Sequence, residues 1–241
     1  MVRIARLPAR TLLRRYAVAW TYLAGFVLAE IADAALPRQD RAALMRWAST
    51  NVVNLHHDPV GSLAASAFIA PESVGVWPVL IALALFGANR ALGNWRTALV
   101  CVAGHVTGTL VSEGIVDYRV AHGLLPAADL HIIDIGPSYV VVSAIAVAVL
   151  YGSWPARTAA VVDFAILVLP GQIFAGLSQL DVAAVGHTTA IVVSVLVGGL
   201  LAWQRLPEQR RRPADRVPPG REMLPGSGHA DDEPEGSVRL D

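Results

Sequence analysis

Residues 131–142 read HIIDIGPSYVVV, and the change of character within them decides how the rest of the chain is understood. Asp134, Gly136, Pro137 and Ser138 stand immediately before an apolar run that continues to Leu150. Proline fits the first turn of a helix, where its missing N–H costs nothing, and a polar or glycine residue fits the position before it. A helix needs about 20 mostly apolar residues to cross the hydrocarbon core of a bilayer, and residues 134–152 supply such a segment. Ser138 then lies at the mouth of a membrane helix. It either bonds locally and helps that helix start or, given a base within reach, serves as a nucleophile. The stretch alone leaves both open.

The bulk composition agrees with a membrane setting. Of 241 residues, 54% are hydrophobic and only 16% charged, with a mean hydropathy of +0.50. Soluble domains run at about 45–50% apolar and about 25% charged. The expected class is an all-α polytopic membrane protein. The formal net charge is zero, and all 19 basic residues are arginine, so there is no electrostatic case for nucleic acid. Cys101, the single cysteine, excludes an internal disulfide and a cysteine-based zinc site. His56, His57, His131 and Asp134 fall near one another in the expected topology. No zinc-type His-Glu-x-x-His, P-loop or dinucleotide glycine motif is present, so neither metal nor cofactor is expected. The first apolar run is long enough to span, and no small-residue cleavage site follows it.

Working outward, six spans are expected, near 16–36, 59–91, 97–115, 134–152, 158–176 and 183–203. The second is too long for one crossing, and APES at 70–73 with Pro78 breaks it. Arginines are counted on the two sides this topology defines. Fourteen lie on the side of both termini and the second and fourth connections, against four (Arg38, Arg41, Arg46 and Arg119) on the other. The positive-inside rule therefore places both termini in the cytoplasm, in a bacterial inner or plasma membrane. Residues 1–15 form an arginine-rich cytoplasmic N-terminus, 16–204 the membrane domain, and 205–241 a polar, Pro/Gly-rich tail expected to be disordered. The piece RQDRAALMRWAST, 38–50, has Ala43, Leu44, Trp47 and Ala48 on one helical face and reads as an interfacial helix.

Spans two, four and six all begin at the outer face in this topology. At ~1.5 Å per residue, Ser138 and His187 are each about four residues, roughly 6 Å, into their helices. His57, Ser62 and Ser66 lie at or just inside the start of span two. Three helices thus carry polar groups at one depth, where ionisable residues default to functional hypotheses. A serine hydroxyl needs a base, a neutral imidazole suits that role, and the oxyanion formed on acyl transfer needs donors. First-turn N–H groups and the hydroxyls of Ser62 and Ser66, one turn apart, could supply them.

At these residues the chain resembles the rhomboid intramembrane serine proteases. GPSY at 136–139 stands where that family has a Gly-x-Ser-Gly signature, and GHTTAIVVSVLVGG from Gly186 stands for its histidine-bearing sixth span. HDPVGSLAAS from His57 occupies the family's histidine- and asparagine-bearing second span, and FGANRALGNWR resembles the turn after it. The resemblance covers roughly residues 15–204. It implies a six-helix rhomboid-like bundle in which Ser138 is the nucleophile and His187 the base of a Ser–His dyad. It sets His57 at the family's first histidine position, with Gly136 permitting the tight entry to the serine helix. It also implies that the partners are transmembrane helices of other membrane proteins within the lipid bilayer. Two departures bear on the site. Tyr139 replaces the glycine that follows the nucleophile, and Ser62 and Ser66 replace the oxyanion-binding His and Asn. The resemblance fits an intramembrane serine protease, and it fits a catalytically inactive relative that binds transmembrane clients. A small transporter is the third reading, though no internal inverted repeat is evident.

Among the remaining polar positions, His105 is expected to bond across helices, with Gly104 and Gly108 allowing close packing. Glu30 and Asp33, a turn apart, are expected on a solvated edge of span one. Glu113 is expected to reach the interface, and Asp163 is the most membrane-centred acid.

Overall fold

The computed structural model describes residues 9–70, 75–169 and 172–204, the side chain of Ala9 excepted. The terminal stretch read as a disordered tail, 205–241, and most of the APES insertion lie outside the described residues. Among the described residues there is no strand. The helices are α1 (Ala9–Arg15), α2 (Ala17–Ala35), α3 (Arg38–Ala48), α4 (Val52–His57), α5 (Pro59–Ser66), α6 (Trp77–Leu92), α7 (Asn94–Ala121), α8 (Ser138–Tyr151), α9 (Trp154–Val168) and α10 (Val182–Trp203), with short 3-10 turns at Ala127–His131 and Leu177–Gln179.

Local chemistry explains the boundaries. Asn51 caps α4 by accepting from the Asn54 N–H at 3.0 Å. Asp58 ends α4 and caps α5 by accepting from the Gly61 N–H at 2.9 Å, with Pro59 at the first position of the new helix. The long second apolar run is therefore two helices, α5 and α6, as the break in its sequence suggested. Asp181 caps α10 through the N–H groups of Ala183 and Ala184.

Among the described residues three helices are long and apolar enough to cross a membrane: α2 with 19 residues, α7 with 28 and α10 with 22. Helices α6, α8 and α9, with 16, 14 and 15 residues, fall short of that length. Each of the six expected spans nevertheless contains helix. The flanks are openly apolar: Leu28, Val102, Leu196 and Leu200 are all more than half exposed, a surface suited to lipid rather than water.

The core is built around α8, which packs against α6, α7, α9 and α10 and buries Tyr139, Val140, Val141, Val142, Ser143, Ala144 and Ile145 in succession. A helix buried all round carries little amphipathic pattern, which is why its sequence reads as an unbroken apolar run. The most extensive helix pair is α7 with α10. Gly108 makes it close: a Cβ there would stand 2.9 Å from the carbonyl oxygen of Gly186.

Three acids are placed differently from the sequence expectation. Glu30 and Asp33 are buried rather than solvated. Glu30 accepts from the Ala70 N–H at 2.9 Å, beyond the end of α5. Asp33 pairs with Arg41 at 3.1 Å, so α3 is tied back onto α2. Glu113 is buried at 2% exposure, because α4 covers that side of α7. Asp163 is fully buried in α9.

Candidate functional site

The site is assembled where two connecting loops meet. Ser49, Thr50 and Asn51, between α3 and α4, are all buried. Against them lies the segment leading into α8. The Thr50 N–H donates to the Asp134 carbonyl at 2.8 Å, and the Asp134 N–H donates to Ser49 Oγ at 3.0 Å. Asn51 Nδ2 donates to the same Ser49 Oγ at 3.3 Å. Thr50 Oγ1 bonds the Asp134 carbonyl and carboxylate at 3.1 and 3.3 Å. One step further on, the Gly136 N–H donates to the Ser66 carbonyl at 3.0 Å. Gly136 holds φ at +141°, a conformation that L side chains rarely adopt. This latch fixes how the chain enters α8, whose first residue is Ser138 with Pro137 as N-cap. Proline thus sits one position earlier than the first-turn place expected for it.

Tyr139 then takes the centre. Its hydroxyl donates to Asp134 Oδ2 at 3.1 Å, and the Val182 carbonyl lies 3.4 Å away. Its ring meets His187 edge-to-face, with centroids 4.9 Å apart, and lies 6.1 Å from His105. Gly186 provides the space: a Cβ added there would overlap the phenol. His187 is buried, and its Nδ1 lies 3.1 Å from the Ile173 carbonyl. A carbonyl only accepts, so Nδ1 carries the proton and Nε2 keeps its lone pair. Nε2 is buried without a hydrogen-bond partner among the described residues.

The remaining expected residues divide. Ser138 is half-buried, and no hydrogen bond joins its hydroxyl to His187. Ser62 Oγ donates to the Asp58 carbonyl at 2.8 Å, and Ser66 Oγ to the Leu63 carbonyl at 3.2 Å, so both hydroxyl protons are engaged within their own helix. His57 is exposed at the end of α4. His105 reaches across helices as expected: its Nε2 lies 2.9 Å from the Leu63 carbonyl and 3.3 Å from Ser66 Oγ. By the same logic as for His187, Nε2 of His105 is the protonated nitrogen, so it is a donor to Ser66 and not a base for it. Ser66, Gly136, Tyr139, His105 and His187 are therefore one neighbourhood, while Ser138 stands at its edge.

The sequence reading missed the Ser49–Thr50–Asn51 anchor. Its signal was present as three consecutive small polar residues after an amphipathic helix. Asp134 is the acid that anchor serves. The residue is partly exposed, but its carboxyl end is enclosed, and its pKa is raised to about 6. Burial is the main cause. The donors Tyr139 and Thr50 pull the value down, and the Asp181 charge pushes it up. Among the described residues no cluster of three or more His, Cys, Asp or Glu side chains could hold a metal ion.

Beside the site, a mainly apolar cavity of about 400 Å³ opens between α2, α5 and α7. Val60, Leu63, Phe68 and Val102 line it, and His105 is its polar contact.

No curated protein and no solved structure matches the chain. A family model described as rhomboid-like protein matches residues 11–203, from within α1 to the end of α10. The chain belongs to the rhomboid-like protein family.

Proposed function

We propose that this rhomboid-like protein holds transmembrane helices of other membrane proteins without cleaving them. In this reading it is a six-span protein of the bacterial inner membrane with both termini cytoplasmic. The observation that carries the proposal is the contact at His187: the ring of Tyr139, not the hydroxyl of Ser138, occupies the space beside the imidazole. A nucleophilic serine needs its base within hydrogen-bond reach and donors aimed at the oxyanion. Ser138 lacks the first, and the hydroxyls of Ser62 and Ser66 are spent on helix carbonyls. The cavity between α2, α5 and α7 favours a binding role, since its walls are mainly apolar and its volume of about 400 Å³ is wide enough to admit side chains of a neighbouring helix.

The span count rests on the arginine distribution and on the short helices. α8, with 14 residues, is about 21 Å long at the usual rise. A bilayer of about 30 Å accommodates such a helix by local thinning.

One observation favours the catalytic alternative. His187 has its proton fixed on Nδ1 by Ile173 and a free lone pair on Nε2, the tautomer a general base requires. In that alternative the Ser138 hydroxyl attacks the scissile carbonyl as Nε2 takes its proton, the imidazolium gives that proton to the departing amine as the C–N bond breaks, and water then hydrolyses the acyl ester to free Ser138.

A fluorophosphonate probe applied to the purified protein separates the two. The binding reading predicts no labelling above Ser138→Ala, together with helix clients that co-purify equally with wild type and Ser138→Ala. Labelling of the wild type that Ser138→Ala abolishes would overturn it in favour of the protease.

A further inference from the structure

At the other end of the bundle the chain carries a second cavity, unrelated to the serine. Asn89 and Asn94 clamp the junction of α1 and α2. Asn89 Oδ1 accepts from the Ala19 N–H, and Asn89 Nδ2 donates to the Arg15 carbonyl at 3.1 Å. Asn94 Nδ2 donates to the Arg14 carbonyl at 2.8 Å, and its Oδ1 accepts from the Val18 N–H. The clamp holds the end of α1 against the end of α6, where Arg90 stands. Between α1, α2, α6 and the start of α9 lies an open cavity of about 800 Å³. Its wall is Leu12, Tyr16, Trp20, Phe86 and Ala156, and Arg90 is its charged group. Trp20 meets Phe86 edge-on at 4.9 Å, so the wall is stiff and aromatic.

Among the described residues the charges here are of one sign. Arg10, Arg14, Arg15, Arg90, Arg96 and Arg157 belong to this end, and the helix ends and turns that carry them hold no acid. Among the described residues the one ion pair is Arg41 with Asp33, at the opposite end. Arg15 lies over Tyr16 and Arg96 over Trp95, and Arg157 donates to the Leu150 carbonyl. Arg10, Arg14 and Arg90 are exposed. A cationic rim above an apolar, aromatic-walled groove is complementary to a molecule with a phosphate head and a hydrocarbon tail. Basic pockets between membrane helices suit anionic headgroups for this reason, and the guanidinium fork matches phosphate oxygens.

We propose that this cavity is a binding site for an anionic phospholipid, with the headgroup phosphate at Arg90 and at Arg15, whose guanidinium lies 5.6 Å from the Tyr16 ring, and an acyl chain along Tyr16, Trp20 and Phe86. The site would tie α1, α2, α6 and α9 together through one lipid.

The test uses the full chain purified in an uncharged detergent and stripped of lipid. It is titrated with phosphatidylglycerol or with phosphatidylcholine of the same acyl chains, and bound lipid is counted by native mass spectrometry. Phosphatidylglycerol should bind in preference. Arg90→Gln should weaken it about fivefold, the effect of one arginine near an anionic surface, while Arg90→Lys should largely retain it. Arg15→Gln gives an independent reading, and Ala156→Phe should block the acyl groove without altering charge. Equal binding of the two lipids, or an unchanged preference in Arg90→Gln and Arg15→Gln, overturns the proposal. Displacement of the lipid by excess inorganic phosphate also overturns it, by showing a site for the free ion.

Discussion

Gly186→Ala is the most informative single change, because its consequence can be worked from geometry. A Cβ at this position would stand 2.8 Å from Tyr139 Cε1, and closer still to Cζ and the hydroxyl. Ordinary carbon contacts are about 3.5–4.0 Å, so the ring, whose Cζ would stand 2.2 Å away, must retreat from α10 by roughly 1.3–1.8 Å. The Val182 carbonyl, on α10 and already 3.4 Å from the phenol oxygen, then passes out of hydrogen-bond reach. The 3.1 Å bond to Asp134 is strained in turn. Overpacking a close-packed core costs about 1–3 kcal/mol, and a lost hydrogen bond adds about 1 kcal/mol. The expected total is about 2–4 kcal/mol. At about 2–4 °C per kcal/mol for a domain of this size, the melting temperature should fall by roughly 4–16 °C.

The assay is thermal unfolding of the purified protein in detergent, run as a double-mutant cycle. Tyr139→Ala alone should be destabilising, since it empties a buried site. Added to Tyr139→Ala, however, Gly186→Ala should cost almost nothing, because the ring it collides with is gone. The coupling energy should be nearly the whole of that cost, about 2–4 kcal/mol. Tyr139→Phe should give no such relief, since Cζ remains. If Gly186→Ala melts with the wild type, or if its cost is the same with and without the Tyr139 ring, the phenol does not occupy this space.

Other outcomes follow from the same contacts. Thr50→Val removes the hydroxyl that bonds both the carbonyl and the carboxylate of Asp134, and should lower stability by about 1–3 kcal/mol in the same melts. Asp134 has a pKa of about 6 in the fold against about 3.9 unfolded. The folded state therefore holds the proton more tightly, and stability should rise as pH falls from about 7 to about 4, by up to about 3 kcal/mol. Asp134→Asn should flatten that component, and an unchanged difference curve between wild type and variant would refute it. Gly136→Ala, forced to φ +141°, should cost about 1–3 kcal/mol, although a Cβ there meets nothing within 4 Å. Glu30→Ala should cost about 1–3 kcal/mol by orphaning the Ala70 N–H, whereas Glu30→Gln, which keeps an acceptor oxygen, should cost less.

Hydropathy and punctuation carried much of the fold. Runs of apolar residues located helix in all six expected spans, and Pro78, read as a break in the second run, stands in the first turn of α6. Of the residues expected at one level, Ser66 and His187 lie in one neighbourhood with Gly136 and Tyr139, whereas His57 is exposed at the end of α4 and Ser138 stands at the edge. Direction around each helix was not legible. Ser138 and Tyr139 share a depth but differ by about 100° around the axis, and only packing decides which of them turns toward α10. The same gap explains Glu30 and Glu113. Each sits near a helix end, where depth suggests solvent, yet one faces the backbone beyond α5 and the other lies beneath α4. Such partners are forty or more residues distant in sequence, and no local pattern announces them.

The two departures around the serine become coherent once Tyr139 and Gly186 are considered together. A phenol beside α10 requires a residue without a side chain on the facing turn, and Gly186 is that residue. Its hydroxyl requires an acceptor, and Asp134 supplies one. Asp134 in turn must be held at the entry to α8, which Ser49 and Thr50 accomplish through backbone and side-chain bonds. Each member answers a demand made by the one before it, so the group is stable only as a set. Such a network is suited to fixing one conformation. An acyl-transfer site has the opposite requirement: an unoccupied position within about 3 Å of both nucleophile and oxyanion donors, and here Tyr139 fills the space beside the candidate base. The Tyr139–His187 contact therefore weighs more in the functional reading than the presence of a serine and a histidine at matching depths.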